Sequence, residues 1–286
     1  MSMKSMKYQF SQIAKIDTFN EPIDMLKKKY HKLTDKMWTP WYGGPFYEIW
    51  RAQKGAHDSV QRLWYPPAEK ILSLGRLNRR HTSLFYGCFG HNANLGSIEE
   101  VRAEKGDYVT QIVCKLIPEN TVLQVSGLGH IDRWMRSRAP DHIRAHYERG
   151  DQERMSKFQS KKDFKKNELI KSELDHIFKM PVPENQTHLY SHSIAITENV
   201  FENIRGTQGI IFPSIASDER AINLVLLPHI VDRYYKVTYA RIVEIMDKQD
   251  KAIQLRLLAE SSTFGADGTI HWDFKSDKLK QEVIHA

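Results

Sequence analysis

Short runs of β-favouring residues, separated by polar and turn-forming segments, recur along much of the chain and predict β-strands. Short β-rich runs, each bounded by turn-forming residues, occupy 83–89, 108–116, 121–126, 209–213 and 222–227. Two further runs, 235–246 and 252–261, flank the polar segment DKQDK and are typical of a hairpin. The predicted strands therefore lie on both sides of a long polar segment, 131–180.

Helical spacing marks a second kind of element near the N-terminus. The segment begins at Asn20, with Pro22 near the first helical position. Apolar side chains then recur at intervals of three and four, at Ile23, Leu26, Tyr30, Leu33 and Met37. We expect an amphipathic helix whose lysines face water.

The polar segment 131–180 also has helical character. It is rich in Lys, Arg, Glu and Asp, has no Gly or Pro from Asp151 to Met180, and is followed by Pro181 and Pro183. This predicts one or two charged helices inserted between the strands. The fold class expected from all these elements is α+β, with a mixed β-sheet core and a charged helical insert.

No Ser/Gly-rich linker divides the chain, so we expect one main domain with additions. The predicted scheme is an N-terminal helical extension, a main domain containing the insert, and a C-terminal tail: 1–45, 46–260 with the insert at about 131–180, and 261–286.

An aromatic segment, 37–53, precedes the predicted strands. It contains three of the six tryptophans together with Tyr42, Phe46 and Tyr47, and is interrupted by glycines and prolines. Two interpretations stay open: a loop that plugs the core, or a stacking surface for a flat ligand.

Composition narrows the class of protein. The 286 residues are 41% hydrophobic and 27% charged, which is typical of a globular protein rather than a disordered or fibrous one. Cys88 and Cys114 can form at most one disulfide, there is no signal-peptide-like apolar segment, and no run of eighteen apolar residues occurs. These features predict a cytoplasmic protein that does not enter the membrane.

The excess of basic residues, 42 Lys and Arg against 35 Asp and Glu, gives a charge of +7. The lysine run 160–171 is interrupted by acidic residues and has no accompanying nucleic-acid motif, so a solvated helix face is expected rather than a nucleic-acid surface. No zinc, Walker or nucleophile-elbow motif occurs. His188 and His192 share helical spacing but fit a surface turn equally well, and no metal site is predicted.

Several residues stand at positions that suggest one site for a phosphate-bearing nucleoside. They combine arginines suited to a pyrophosphate, a tyrosine suited to stacking, and a carboxylate suited to a ribose hydroxyl and a developing sugar cation. The positions are Arg51 in a strand, Arg76 in a GRLN turn, Tyr86 on the next strand, Glu99 and Glu100 on a short helix, Ser214 after a buried strand, and Asn223 at the start of another.

Five strings occur in an order that resembles the motifs of the RES-domain family, which is named for an arginine, a glutamate and a serine. They span about Phe46 to Val231, outside the insert: IWRAQ, PPAEKILSLGRLNRR, SLFYG, IEEVRAEKGDYVTQIVCKL, and GIIFPSIAS followed by INLVLLP. The resemblance implies a fold similar to that of ADP-ribosyltransferases. Known RES proteins degrade NAD as toxins restrained by an antitoxin.

The resemblance assigns a role to each motif residue. Arg76, Glu100 and Ser214 match the family's catalytic positions, and Arg51 and Tyr86 match positions that hold the substrate. Asn78 and Asn223 join them as substrate-binding candidates. Glu100 is favoured over Glu99 by the glutamate-valine-arginine pattern, and neighbouring helical residues point about 100° apart.

Each of these residues also has a purely structural interpretation. Arg51 could be a strand-edge cation, and Tyr86 could belong to the core. Arg76 could cap a helix or pair with an acid, and Ser214 could be a turn hydroxyl or a helix cap. For Asn78 and Asn223, turn formation and main-chain hydrogen bonding are the alternatives.

The function implied by the resemblance is cleavage of NAD at the nicotinamide N-glycosidic bond, by a glycohydrolase or phosphorylase of a toxin-antitoxin system. NAD would be the substrate, with inorganic phosphate as an optional co-substrate and no other cofactor or metal. A protein antitoxin and a homo-oligomer are the partners considered; membrane and nucleic acid are not expected. The alternatives are an ADP-ribosyltransferase acting on a protein or nucleic acid, and a non-catalytic basic interaction protein.

Overall fold

The computed structural model of the protein describes most of the chain. The described residues are 1–20, 22–35, 41–44, 46–128, 160–249, 252–274 and 281–285, with 131, 156 and 158. The side chains of Trp38 and Trp41, from the aromatic segment, lie outside this set, as does most of the polar segment between 131 and 160.

The chain forms two compact units, and it passes back and forth between them. The helical unit comprises Met1–Tyr42, Leu72–Arg80 and Val125–Phe212. The sheet unit comprises Gly43–Ile71, His81–Gln124 and Pro213–Ala286. The predicted domain boundaries at 45 and 260 remain a prediction.

The helical unit is built on four helices: α1 (Met3–Ala14), α2 (Ile23–Thr34), α5 (Lys161–Lys179) and α6 (Ser191–Asn203). It also holds a parallel pair of strands, β5 (Leu123–Gly127) with β6 (Gly209–Pro213), and a 3-10 segment at Glu184–Tyr190. A short strand, β1, covers Trp41–Gly44.

The two predicted helical segments are confirmed where the structure describes them. In α2 the buried side chains are Leu26, Tyr30 and Leu33, as the spacing of three and four requires. The predicted Met37 lies outside the described residues. Helix α5 begins after Ser160, whose hydroxyl accepts a hydrogen bond from the amide of Asp163, and ends before Pro181.

The sheet unit contains an antiparallel sheet in the order β7-β3-β2-β4-β8-β9, with β10 and β11 both on the far side of β9. The strands are β2 (Glu48–Lys54), β3 (Phe85–Phe89), β4 (Tyr108–Leu116), β7 (Ile222–Leu226), β8 (Tyr235–Gln249), β9 (Ala252–Ser261), β10 (Asp273–Phe274) and β11 (Gln281–His285). The predicted strands and the β8–β9 hairpin are thus confirmed.

Helices and turns complete the sheet unit: α3 (Val60–Leu63), α4 (Ala93–Glu100), α7 (Pro228–Tyr234) and a 3-10 turn at Ala68–Lys70. With both parallel and antiparallel strand pairs among helices, the expected mixture of α and β structure is confirmed. The region 261–286, expected to be a tail, contributes β10 and β11. None of the helices in the described residues is long and apolar enough to cross a bilayer.

Helix α4 is fixed to the sheet by its apolar residues and by a glycine. Leu95 and Ile98 join the core formed with β2, β4, β8 and β9. On another side, a Cβ added at Gly96 would stand 2.3 Å from the Cβ of Ala221 and 3.3 Å from Cys88 Sγ. The absence of a side chain at 96 therefore lets α4 approach the ends of β3 and β7.

Replacement of Gly96 tests this close approach. Gly96→Ala is expected to lower the free energy of unfolding by about 1–3 kcal/mol through overpacking. Alanine in a helix interior normally stabilises by about 0.5–1 kcal/mol, so the sign is informative. Urea denaturation measures the effect, and a more stable variant would contradict the packing described.

Candidate functional site

Three of the predicted site residues meet at one carboxylate oxygen. The hydroxyl of Ser214 donates to Glu100 Oε1 at 2.5 Å, and the amide Nδ2 of Asn223 donates to the same oxygen at 2.7 Å. Glu100 is the last residue of α4, Ser214 follows β6 directly, and Asn223 lies in β7. Residues more than a hundred positions apart in sequence are thereby brought together.

The three residues differ in their exposure to solvent. Ser214 and Asn223 are buried, whereas Glu100 is exposed. Since both donors use Oε1, the other carboxylate oxygen, Oε2, is the one available to a ligand. Two short hydrogen bonds from buried donors also restrict the rotamers of Glu100, so the carboxylate is held before any ligand arrives.

Cys88 sets the orientation of the Asn223 side chain. The two residues are directly paired between β3 and β7, and Cys88 Sγ donates to Asn223 Oδ1 at 3.2 Å. Burial raises the pKa of the Cys88 thiol well above its ordinary value, with smaller contributions from Glu100 and Glu99, so the thiol stays protonated and able to donate. With its oxygen taken by the thiol, Asn223 presents its NH₂ group to Glu100.

The loop after β6 holds Ser214 through main-chain contacts. The amide of Ser214 donates to the carbonyl of Ala221 at 2.9 Å, and its carbonyl accepts from the amide of Glu219 at 2.7 Å. The amide of Ser217 donates in turn to the Ser214 hydroxyl oxygen at 3.2 Å. The hydroxyl hydrogen is therefore free to point at Glu100.

Unusual backbone conformations surround this site. Asn92 and Arg102, which flank α4, have φ of 62° and 51°, and Asp218 and Glu219 in the loop after Ser214 have 50° and 59°. Positive φ is costly for residues other than glycine and concentrates at functional positions. These residues lie at the two ends of α4 and in the loop after Ser214, the two segments that supply Glu100 and Ser214.

Glu99, the competing carboxylate, points to a different partner. Its Oε1 accepts from Arg220 Nη2 at 2.6 Å, and the side chain is buried. Burial raises the pKa of Glu99, while the Arg220 charge opposes that rise. The two adjacent carboxylates are separated as helical geometry predicts, with Glu100 toward Ser214 and Glu99 toward Arg220.

The Arg51 side chain donates hydrogen bonds to the main chain. Its Nε, Nη1 and Nη2 donate to the carbonyls of Leu63, Tyr86 and Trp64 at 2.6, 2.7 and 3.2 Å, and its guanidinium lies over the Phe85 ring. Burial lowers its pKa to about 10. The structure therefore places Arg51 as a brace between β2, the end of α3 and β3, instead of directing it at a phosphate.

Tyr86 lies on the face of the sheet that carries Asn223. It pairs with Val225 in β7 and precedes Cys88 by two residues, and strand side chains separated by two share a face. Its side chain is half-buried. The stacking role expected for Tyr86 thus concerns the same sheet surface as the Glu100 site.

Arg76 and Asn78 belong to the helical unit. Arg76 Nη1 donates to the carbonyl of Phe178 at 2.9 Å, and its guanidinium lies over the Tyr190 ring. Asn78 is buried and closes the GRLN turn, its carbonyl accepting from the Gly75 amide at 3.0 Å. Arg76 thus bonds to the last turn of α5 and Asn78 closes a turn, which agree with the structural interpretations of helix capping and turn formation.

The two histidines at helical spacing have separate partners. His192 Nδ1 lies 2.8 Å from the Tyr30 hydroxyl in a buried pair, and His188 packs edge-on against Phe19. Within the described residues, no three His, Cys, Asp or Glu side chains are grouped as metal ligands would be.

Comparisons with known proteins identify no family for this chain. No protein-family model matches the chain, and no curated protein matches its sequence. The resemblance to the RES-domain family therefore rests on the five motif strings.

Two residues of the site, Cys88 and Arg220, were missed by sequence reasoning. Cys88 had a signal, because it follows Tyr86 by two in a predicted strand and so shares its face. Arg220 had none, because its pairing with Glu99 depends on how the loop after Ser214 folds back on α4.

The buried Glu99 generates a pH-dependent prediction. Its pKa is raised in the folded state, so the folded protein binds more protons than the unfolded chain above pH 4.5, and wild-type stability falls as pH rises through the raised pKa. The Glu99→Gln variant has no titratable group at this position, so it does not lose this stability as pH rises. The stability of Glu99→Gln relative to wild type should increase with pH over that window and then level off, as measured by urea denaturation. An exposed control, Glu104→Gln, should show no such rise; a Glu99→Gln difference independent of pH would contradict the assignment.

The bracing role of Arg51 predicts a large structural effect. Arg51→Met leaves three carbonyls without their donor, and at about 1–3 kcal/mol for each such group the free energy of unfolding should fall by about 3 kcal/mol or more. Denaturation of Arg51→Met and of the exposed control Arg62→Met measures the difference. Equal stability of the two variants would show that the carbonyls do not depend on Arg51.

Proposed function

We propose that the protein cleaves NAD at the bond between nicotinamide and ribose. The observation that carries the proposal is the carboxylate of the exposed residue Glu100, which Ser214 and Asn223 hold through Oε1 alone. A fixed carboxylate is the group that N-glycosidic cleavage requires, because positive charge develops on the ribose in the transition state. The motif strings of the RES-domain family favour NAD over other nucleosides.

In the proposed reaction the bond from ribose C1′ to the nicotinamide nitrogen breaks, and both electrons leave with the nicotinamide. The pyridinium charge is neutralised as C1′ becomes cationic. Glu100 Oε2 binds a ribose hydroxyl and stabilises that cation electrostatically. Water or inorganic phosphate then forms the new bond to C1′, and water releases its extra proton to solvent.

The other residues have supporting roles in this proposal. Ser214 and Asn223 are positioning residues, since they act through Glu100. Tyr86, on the same sheet face as Asn223, would stack on the nicotinamide ring. Arg51 acts through the main chain it braces. The assignment of Arg76 to the pyrophosphate stays a prediction of the resemblance.

The wider biological role is proposed on the resemblance alone. A cytoplasmic toxin that depletes NAD, restrained by a protein antitoxin, is the role that RES proteins suggest. Self-association belongs to the same proposal.

The experiment is to incubate purified protein with NAD, with and without inorganic phosphate, and to measure nicotinamide release. We expect release by the wild type and a loss of about 10²–10³-fold in kcat for Glu100→Gln, because the neutral amide no longer stabilises the sugar cation. Glu104→Gln, which changes an exposed carboxylate just beyond α4, should retain full activity.

The products identify the acceptor. ADP-ribose indicates hydrolysis, its 1″-phosphate indicates phosphorolysis, and label retained on protein or nucleic acid indicates the ADP-ribosyltransferase alternative. Absence of nicotinamide release at high protein concentration would contradict the proposed function, and full activity of Glu100→Gln would contradict the role of that carboxylate.

A further inference from the structure

The two adjacent carboxylates of α4 hold the same loop at its two ends. Glu100 accepts from the Ser214 hydroxyl, and Glu99 accepts from Arg220 Nη2 at 2.6 Å. Within the loop, Arg220 Nε donates to the Ser217 carbonyl at 2.7 Å, and the Ser217 amide donates to the Ser214 hydroxyl oxygen at 3.2 Å. These contacts form a closed ring that begins and ends on neighbouring residues of one helix.

Contacts have to maintain the conformation of this loop. Asp218 and Glu219 have φ of 50° and 59°, a region that is costly for residues with a side chain. The Glu219 amide donates to the Ser214 carbonyl at 2.7 Å, and the Arg220 amide donates to the Ser217 carbonyl at 3.0 Å. The two costly residues therefore lie inside a tight turn, and the Arg220 side chain joins that turn to α4.

The forked guanidinium of Arg220 lets one side chain make both contacts of this link. Its Nε bonds to Ser217 while its Nη2 bonds to Glu99. The ammonium group of a lysine has no such fixed fork. A hydrogen bond from Arg220 to an ionised Glu99 is charge-assisted and roughly twice as strong as one between neutral groups. The strength of the link therefore depends on the charge of Glu99.

Charged groups of both signs surround the Glu99 carboxyl. They and the nearest thiol are the cations Arg220 and Lys248, the carboxylates Glu100 and Asp218, and the protonated Cys88. Burial raises the pKa of Glu99, and the cations only partly oppose that rise. Within the part of the chain that the structure describes, Glu99 Oε2 is buried without a hydrogen-bond partner. Glu99 therefore changes charge at a higher pH than an exposed glutamate does.

We propose that the Glu99–Arg220 ion pair positions Ser214 on Glu100, so that NAD cleavage depends on Glu99 although Glu99 acts only through the loop. This inference rests on the proposed function. With a neutral Glu99, Arg220 holds the loop less firmly, and the Ser214 hydroxyl holds Glu100 for a smaller fraction of the time. The loss falls mainly on kcat, because the sugar cation that Glu100 stabilises develops only in the transition state.

The pH profile of nicotinamide release tests the dependence on charge. Wild-type kcat should rise with pH through the raised pKa of Glu99, as the carboxyl ionises. Glu99→Gln fixes the neutral form, so its kcat should lack this rise and stay about tenfold below the upper plateau of the wild type, with KM nearly unchanged. The exposed control Glu104→Gln should follow the wild type. Wild-type stability falls over the same pH range, so a larger folded fraction does not explain the rise.

A double-mutant cycle tests whether Glu99 acts through Ser214. In the Ser214→Ala background, where the hydroxyl is missing, Glu99→Gln should change kcat by less than about twofold. Arg220→Lys keeps the positive charge but loses the fork, so it should lower kcat about as much as Glu99→Gln does.

A second cycle, measured by urea denaturation at mildly alkaline pH, needs no cleavage. Ser214→Ala should raise the unfolding equilibrium constant at least about threefold less in the Glu99→Gln background than in the wild type. Such coupling in a protein that leaves NAD unchanged would support the positioning role and contradict the proposed cleavage.

The opposite outcome separates the two proposals as well. Nicotinamide release with additive effects of Glu99→Gln and Ser214→Ala on kcat would overturn the positioning role and leave NAD cleavage intact. A Glu99→Gln profile that keeps the wild-type rise would overturn it too.

Discussion

The hydrogen bonds that Ser214 and Asn223 donate to Glu100 Oε1 are the interactions on which the proposed chemistry depends. They join the end of α4, the loop after β6 and strand β7 at one atom. A carboxylate at a helix end would otherwise sample several rotamers in water. Two buried donors hold it in one orientation through one oxygen and leave the second oxygen to a ligand, which is the preorganisation that electrostatic stabilisation of a cationic sugar requires.

Contacts with strands β3 and β7 stabilise this arrangement. The Cys88–Asn223 pair fixes the amide orientation, and Gly96 lets α4 approach both strands. Glu99 forms an ion pair with Arg220, so this neighbouring acid does not compete with Glu100 for Ser214 and Asn223. The same row of paired residues extends through Cys88, which lies buried under Gly96 of α4, to Trp50 in β2.

Sequence patterns predicted α2 because burial on one helix face leaves a periodic signal, and they predicted the strands because β-favouring runs end at turn-forming residues; β6 and β7 are buried at every position and leave no alternation. The Glu100–Ser214–Asn223 grouping was reached through motif order, since no spacing rule connects a helix end with residues more than a hundred positions later. The contacts of Arg51, by contrast, could not be predicted from the sequence. An arginine in a strand looks the same in sequence whether it faces a phosphate or three main-chain carbonyls, and only the fold determines which carbonyls lie within reach.

The most direct test is a crystal structure of the protein with a non-hydrolysable NAD analogue whose nicotinamide ribose is replaced by a carbocycle. The account predicts Glu100 Oε2 within hydrogen-bond distance, about 2.6–3.2 Å, of a hydroxyl on that ring, with Oε1 still bound to Ser214 and Asn223. An analogue bound with its nicotinamide end away from Glu100, at full occupancy, would contradict the account.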